Sequence, residues 1–317
     1  MITPQSPLIV VVGPTGSGKS ELGIHLAGEL NGEIVGCDSV QVYSGVDIGS
    51  AKVLPEQREA IPHHLLDIAA PSAKVTAGEY SRLARRAIAG ITARARLPIV
   101  VGGTGLYLRA LLEGLSPAPK RDEHFRTRLE QVVARRPEIL VRYLRRFDRE
   151  SAGRIHPNDG QKMTRAVELC HISGQPASAV HDLSRDALVG FRTLKLGLNP
   201  ERALLYEKLN GRTEWMFANG LLEETRTLME ACGNSATEVL RSLGYSQATR
   251  YLRGELALED AIAQCQIKTR NYAKRQMTWF RSDPNIYWIH EFGSGDKAKS
   301  VALKTIRAFL RITRKSE

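Results

Sequence analysis

Gly13-Pro14-Thr15-Gly16-Ser17-Gly18-Lys19-Ser20 is an uninterrupted GxxxxGK[ST] run. It follows an apolar segment and opens a helical one, the context in which such a run is a phosphate-binding loop. The glycines let the backbone curl so that its N–H groups converge on phosphate oxygens. The helix N-terminus adds a favourable dipole, Lys19 adds a positive charge, and Ser20 is suited to ligate a Mg²⁺ ion. The whole run from Gly13 to Ser20 is therefore expected to bind a di- or triphosphate.

A phosphate loop does not name the reaction. Nucleotide hydrolysis needs a second acid at the end of an apolar strand, to hold Mg²⁺ and orient water. The apolar strand Pro98–Val101 runs into Gly102-Gly103-Thr104, with no acid. The remaining candidate is Asp38, which opens the loop Asp38-Ser39-Val40-Gln41-Val42-Tyr43. Its neighbours carry groups suited to hydrogen-bonding a nucleobase.

These residues need a scaffold, and residues 1–115 alternate strand-like and helix-like segments. Leu8–Val12, Glu33–Cys37 and Pro98–Val101 are expected strands; Ser20–Leu30 and Ala77–Ala95 are expected helices. That rhythm predicts an α/β core with a parallel sheet flanked by helices, like that of the P-loop NTPases. From Ser116 the pattern becomes helical and Arg-rich, with eleven Lys/Arg against six Asp/Glu between Lys120 and Arg154 and a further helix over Asp159–Ile172. Apolar Thr193–Leu198 marks a return to the sheet. A mostly helical insertion over 116–195 is thus expected within a core of 1–115 and 196–317. Helices over Glu201–Asn219, Leu221–Ala231, Ala236–Leu240 and Leu258–Phe280 complete the chain.

The 317 residues are 42% hydrophobic and 25% charged, an ordinary composition for a globular protein. Apolar runs are of strand length, short of the ~20 residues of a membrane helix. The N-terminus has no basic n-region, so no signal peptide is expected. Cys37, Cys170, Cys232 and Cys265 are far apart and lack zinc spacing, which speaks against structural zinc and disulfides and for a cytoplasmic protein. A formal net charge of +11 points to a polyanionic partner.

Several segments together resemble the bacterial tRNA dimethylallyltransferases. Besides Gly13–Ser20 and Asp38–Tyr43 they are Asp47-Ile48-Gly49-Ser50-Ala51-Lys52, Pro62-His63-His64-Leu65-Leu66-Asp67 and Val101-Gly102-Gly103-Thr104-Gly105-Leu106-Tyr107. Further on come Arg154-Ile155-His156-Pro157-Asn158-Asp159, Arg165-Ala166-Val167-Glu168, Leu243-Gly244-Tyr245, Thr269–Gln276 and Thr278-Trp279. The resemblance covers nearly the whole chain, and the phosphate loop, GGTGLY and RIHPND in this order are specific. Gly16, Ser44 and Val53 depart from the family pattern beside the expected active residues without removing any of them.

The resemblance implies transfer of a dimethylallyl group from dimethylallyl diphosphate to the exocyclic amine of the adenosine immediately 3′ of the tRNA anticodon. Lys19, the loop amides and Mg²⁺ held partly by Ser20 would stabilise charge on the leaving diphosphate. Arg212 is an additional clamp by family analogy. Asp38 is the expected general base, and Thr104 is expected near the bridging oxygen or the attacking amine. A stacked base must be extruded before its amine can be reached. Ser39, Val40 and Gln41 are expected to line the flipped adenine together with Asp38 and Thr104; Gln suits bidentate contact with adenine. Contacts to the anticodon stem-loop are expected from Arg126, from Gln161, Lys162, Met163, Thr164 and Arg165, and from Arg241, Ser242, Leu243, Gly244 and Tyr245. A monomer is the default expectation.

The residues alone leave two alternatives open: a P-loop small-molecule or nucleotide kinase, and an RNA-binding module with a vestigial phosphate loop. His63 and His64 are adjacent on an extended segment and point to opposite faces, so a metal pair is not expected. Trp279 sits in a helical apolar pattern and is expected in the core rather than as a base-stacking surface.

Overall fold

The computed structural model describes residues 5–58, 61–116, 118–119, 121–182, 186–232 and 238–314. Two compact units divide the chain: Met1–Leu111 with Leu188–Glu317, and Leu112–Ala187.

The first unit is built on the apolar runs. β1 (Ser6–Val12), β2 (Gly32–Cys37), β3 (His63–His64), β4 (Leu97–Gly102), β5 (Phe191–Leu198) and β6 (Ile286–Ile289) form one sheet in the order β3-β2-β4-β1-β5-β6. Every pairing is parallel. A parallel strand in such a sheet is covered on both faces, so it reads as continuous apolar sequence rather than an alternation. Leu8 to Val11 are accordingly all fully buried. Ile9, Val11, Ile99, Val101, Leu196 and Leu198 pack with α1 (Lys19–Glu29) and α13 (Asp296–Arg314) in one core. α2 (Ala77–Ala93) packs against β2 and β4, and starts with a capping box in which Thr76 and Glu79 satisfy each other's backbone amides. α3 (Gly105–Leu112) follows β4.

The second unit holds α4 (Glu123–Arg135), α5 (Ile139–Phe147), α6 (Arg149–Arg154), α7 (Gly160–Ser173) and α8 (Ala177–Asp182). It has its own core of Leu140, Leu144, Met163, Ala166, Val167, Leu169, Cys170, Ala177 and Val180. Buried Asp148 caps α6 through the Ser151 amide and accepts from both the amide and hydroxyl of Ser178, tying α8 to α6. Residues 188–195, assigned to the insertion on sequence, belong to the sheet unit, because β5 already pairs with β1 from Phe191.

The first unit ends with α9 (Arg202–Ala218), α10 (Leu221–Cys232), α11 (Tyr245–Leu252), α12 (Leu258–Arg281) and α13. α9, α10, α11 and α12 pack in series. The helix expected over Ala236–Leu240 is not formed: Glu238–Leu240 are in a turn, and Ala236 and Thr237 lie outside the described residues. β3 is too short to leave a periodicity. α13 begins directly after a Gly-containing turn, and sequence pattern does not anticipate α11, β6 or α13.

Candidate active site

Parallel strands deliver their C-terminal ends to one edge, and the ends of β1, β2 and β4 carry the chemistry-bearing residues. β1 runs into the phosphate loop. Gly18 there adopts φ 85°, and a Cβ on it would come within 2.9 Å of the Gly293 and Ser294 amides, so a side chain is excluded. α1 starts with no side-chain cap. Its first-turn amides therefore have no intrahelical acceptor and remain available to an anion.

Lys19 donates to the Pro14 carbonyl at 2.7 Å. Desolvation of this partly buried side chain outweighs the attraction of Asp38 and pushes its pKa down to about 8. Arg212 comes from α9 and donates to Thr15 Oγ1 at 2.9 Å. Burial also lowers the pKa of Arg212. Its Nε and the Ser17 hydroxyl are both buried and have no hydrogen-bond partner among the described residues. Two partly buried cations and two buried polar atoms without described partners around one loop fit a site for a highly charged anion, since buried polar groups are otherwise paired.

β2 ends in Cys37, and Asp38 begins a tight turn. Asp38 Oδ1 accepts from the Val40 amide at 2.8 Å and the Gln41 amide at 3.3 Å. β4 ends in Gly102, where a Cβ would lie 2.1 Å from the Cys37 carbonyl oxygen, so only glycine lets the two strand ends close together. Thr104 N–H then donates to the Cys37 carbonyl at 3.2 Å, and Thr104 Oγ1 accepts from the Ser39 amide at 3.1 Å. Asp38, Ser39 and Thr104 thus form one cluster. Cys37 beneath it is buried, and desolvation pushes its thiol up to about 12, so it is inert as a nucleophile.

One residue joins the phosphate loop to this cluster. Gln276 on α12 accepts from the Thr15 amide at 2.8 Å and donates to the Gly103 carbonyl at 2.9 Å. One turn earlier on the same helix, the Tyr272 hydroxyl lies close to Thr104 and Asp38, and burial raises its pKa. Sequence reasoning did not single out Gln276 or Tyr272 individually. Their i, i+4 spacing was the available signal, but it reads equally as a core face.

Some residues expected to contact RNA serve other ends. Tyr245 is fully buried, and its hydroxyl donates to Glu224. The Glu224 carboxylate also accepts from the amides of Asp47, Ile48 and Gly49, so Tyr245 holds a loop rather than RNA. Gln41 donates its amide to the Ser50 and Ala51 carbonyls, so a bidentate contact to adenine through that amide is ruled out in this conformation. Lys52 completes the same loop: it is buried and bonded to Asp47 Oδ1 at 2.7 Å and Asp67 Oδ1 at 2.6 Å. In the second unit Met163 is core. Arg126 and Arg165 are not free for phosphate, because both pair with fully buried Glu168 at 2.9 and 2.7 Å. Burial alone would raise the Glu168 pKa, but the bonds from the two arginines hold it down to about 2. Gln161, Lys162 and Arg241 are exposed, and Val40, Thr164, Ser242 and Leu243 are partly so; Gly244 is buried. Trp279 is not core: it is 42% exposed.

A family model described as IPP transferase matches residues 41–283. A tRNA dimethylallyltransferase of Solibacter usitatus (strain Ellin6076) is 50% identical, over 96% of this chain and 99% of that one. The tRNA isopentenylpyrophosphate transferase of Bacillus halodurans matches with a TM-score of 0.73 at 34% identity, over 98% of this chain and 99% of that one. A eukaryotic dimethylallyltransferase acting on tRNA matches with a TM-score of 0.79 at 28% identity, over 96% of this chain and 80% of that one. The family match takes in the Gly102–Thr104 turn, Arg212 and the Tyr272–Gln276 face of α12. With half of all positions shared with a relative along nearly the full length, the chain belongs to the IPP transferase family.

Proposed function

We infer that this chain is a tRNA dimethylallyltransferase. It takes the dimethylallyl group from dimethylallyl diphosphate and places it on the exocyclic N6 amine of the adenosine immediately 3′ of the anticodon, releasing diphosphate. The observation that carries the reading is the Gln276 bridge, which sets an anion loop beside an acid–hydroxyl cluster. β4 ends without the acid that nucleotide hydrolysis would call on.

Lys19, Arg212 and the amides at the start of α1 take up the negative charge that grows on the departing diphosphate as the C–O bond breaks, the interaction that lowers the barrier most. Ser20, in the first turn of α1, forms no side-chain hydrogen bond among the described residues, and its hard oxygen suits Mg²⁺. Magnesium there would supply further neutralisation of the phosphates. The Asp38 carboxylate is held by Oδ1 on two amides, which aims the side chain and leaves Oδ2 to receive the N6 proton as the new C–N bond forms. Thr104 and Tyr272 fix the position of the amine against Asp38.

The second unit supports RNA binding through its exposed arginines, including Arg142, Arg145 and Arg146 on α5. No described helix is long and apolar enough to cross a membrane, and a tRNA substrate fits a cytoplasmic protein. Incubation with tRNA and dimethylallyl diphosphate, followed by mass spectrometry of the anticodon-loop nucleosides, tests the assignment. No mass gain on the adenosine, with phosphate transferred from ATP instead, would replace it with a kinase.

A further inference from the structure

α12 presents Tyr272, Gln276 and Trp279 at i, i+4 and i+7, one face of a helix. All three meet the turn that follows β4. Tyr272 lies close to Thr104, and Gln276 donates to the Gly103 carbonyl. Trp279 covers Gly105, where a Cβ would come within 2.3 Å of the indole Nε1. The Arg109 guanidinium lies 6.0 Å from the Trp279 ring centroid. The first two residues face inward; the third stands at the rim, 42% exposed.

A tryptophan on a helix surface normally turns freely and covers apolar neighbours. This one is held on one side by a residue without a side chain and flanked by a guanidinium, yet keeps much of its surface open. Such a ring is pre-organised, so little side-chain freedom is lost when a flat partner settles on it. The residues beside it handle the base being modified. Extruding that base unstacks its neighbours, and an exposed ring next to the site can restore the lost stacking.

We propose that Trp279 is a stacking platform for an unpaired nucleobase flanking the adenosine that is modified. The proposal rests on the function inferred above. Its sequence tolerance follows from its chemistry, because every base has a π-face.

The test uses the full chain and a synthetic anticodon stem-loop RNA. Tryptophan occurs three times, so Trp215→Phe with Trp288→Phe leaves Trp279 as the single indole emitter. Its fluorescence is expected to be quenched on titration with the RNA and unchanged by dimethylallyl diphosphate. In the otherwise natural chain, Trp279→Ala is expected to weaken RNA binding about 5- to 150-fold, the range for loss of one stacked base. Trp279→Phe should recover most of that loss. The donor affinity and melting temperature of the Phe variant should match those of the natural protein. RNAs with an abasic nucleotide on either side of the target adenosine complete a double-mutant cycle. For one of them the natural protein and Trp279→Ala should bind equally well.

The platform is overturned if the quench is absent and Trp279→Ala binds RNA as the natural protein does. It is equally overturned if Trp279→Ala and Trp279→Phe lose RNA and donor affinity together with a lowered melting temperature, which would mark a packing role. An additive cycle for both abasic RNAs would also refute it. Product formation by the natural enzyme on the same RNA reports separately on the inferred reaction, because none of the binding measurements depends on turnover.

Discussion

The low pKa of Lys19 makes donor binding pH-dependent. Lys19 interacts with Asp38 and Glu21, which favour its charge, and with Arg212, which opposes it. Cys37 is pushed up to about 12 and stays neutral, and Arg212 stays charged. With a pKa of about 8, roughly nine-tenths of the free enzyme carries the Lys19 charge at pH 7, and roughly one-tenth at pH 9. The diphosphate binds the charged form and raises the pKa of Lys19 in the complex. Affinity is therefore complete below about pH 8 and is lost as pH rises through it. Between pH 7 and 9 the Kd of dimethylallyl diphosphate should rise about tenfold. Phosphate monoanions lose their last proton near pH ~6, so the ligand itself contributes little there. Isothermal titration in two buffers of different ionisation enthalpy reads both the affinity and the proton taken up. At pH 9 close to one proton should enter the complex, and Lys19→Arg should bind without proton uptake. A Kd that is flat from pH 7 to 9, or an unchanged slope in Lys19→Gln, would refute the reasoning.

Asp38→Asn keeps the turn but not the basicity and should lose roughly 10²–10⁴-fold in kcat; single-turnover transfer at saturating donor measures it. Gln276→Met keeps length and loses both bonds, orphaning the Thr15 amide and the Gly103 carbonyl. Each orphaned group costs ~1–3 kcal/mol, so the melting temperature and kcat should fall together while RNA affinity persists. Glu168→Ala leaves Arg126 and Arg165 without their shared buried partner and should destabilise the second unit by ~3–5 kcal/mol, seen by hydrogen exchange confined to α4 and α7. Arg142→Glu, Arg145→Glu and Arg146→Glu together should weaken tRNA binding and reduce its log–log salt slope by up to about one unit per lost contact; an unaltered slope would show that α5 faces solvent only.

Local chemistry was legible in the order of residues. The phosphate loop needs only a strand, eight consecutive residues and a helix, and all three are contiguous. The parallel sheet was legible for a related reason: strands buried on both faces leave unbroken apolar runs such as Leu8–Val12. The turn Gly102-Gly103-Thr104 could be recognised, and the lack of an acid there already disfavoured nucleotide hydrolysis.

Tertiary structure alone decided which charges are available. Arg126 and Arg165 look like phosphate contacts in sequence, but a buried carboxylate 42 and 3 residues away claims them. Tyr245 and Gln41 carry groups fit for RNA that are committed to the loop from Asp47 to Ala51. Gln276 joins residues 261 and 173 positions away, a distance no local pattern can encode. The exposure of Trp279 escapes the local sequence for the same reason. Helical periodicity tells which residues share a face, whereas whether that face is buried depends on what the rest of the chain brings to it; Trp279 meets Gly105 on one side and stays 42% exposed.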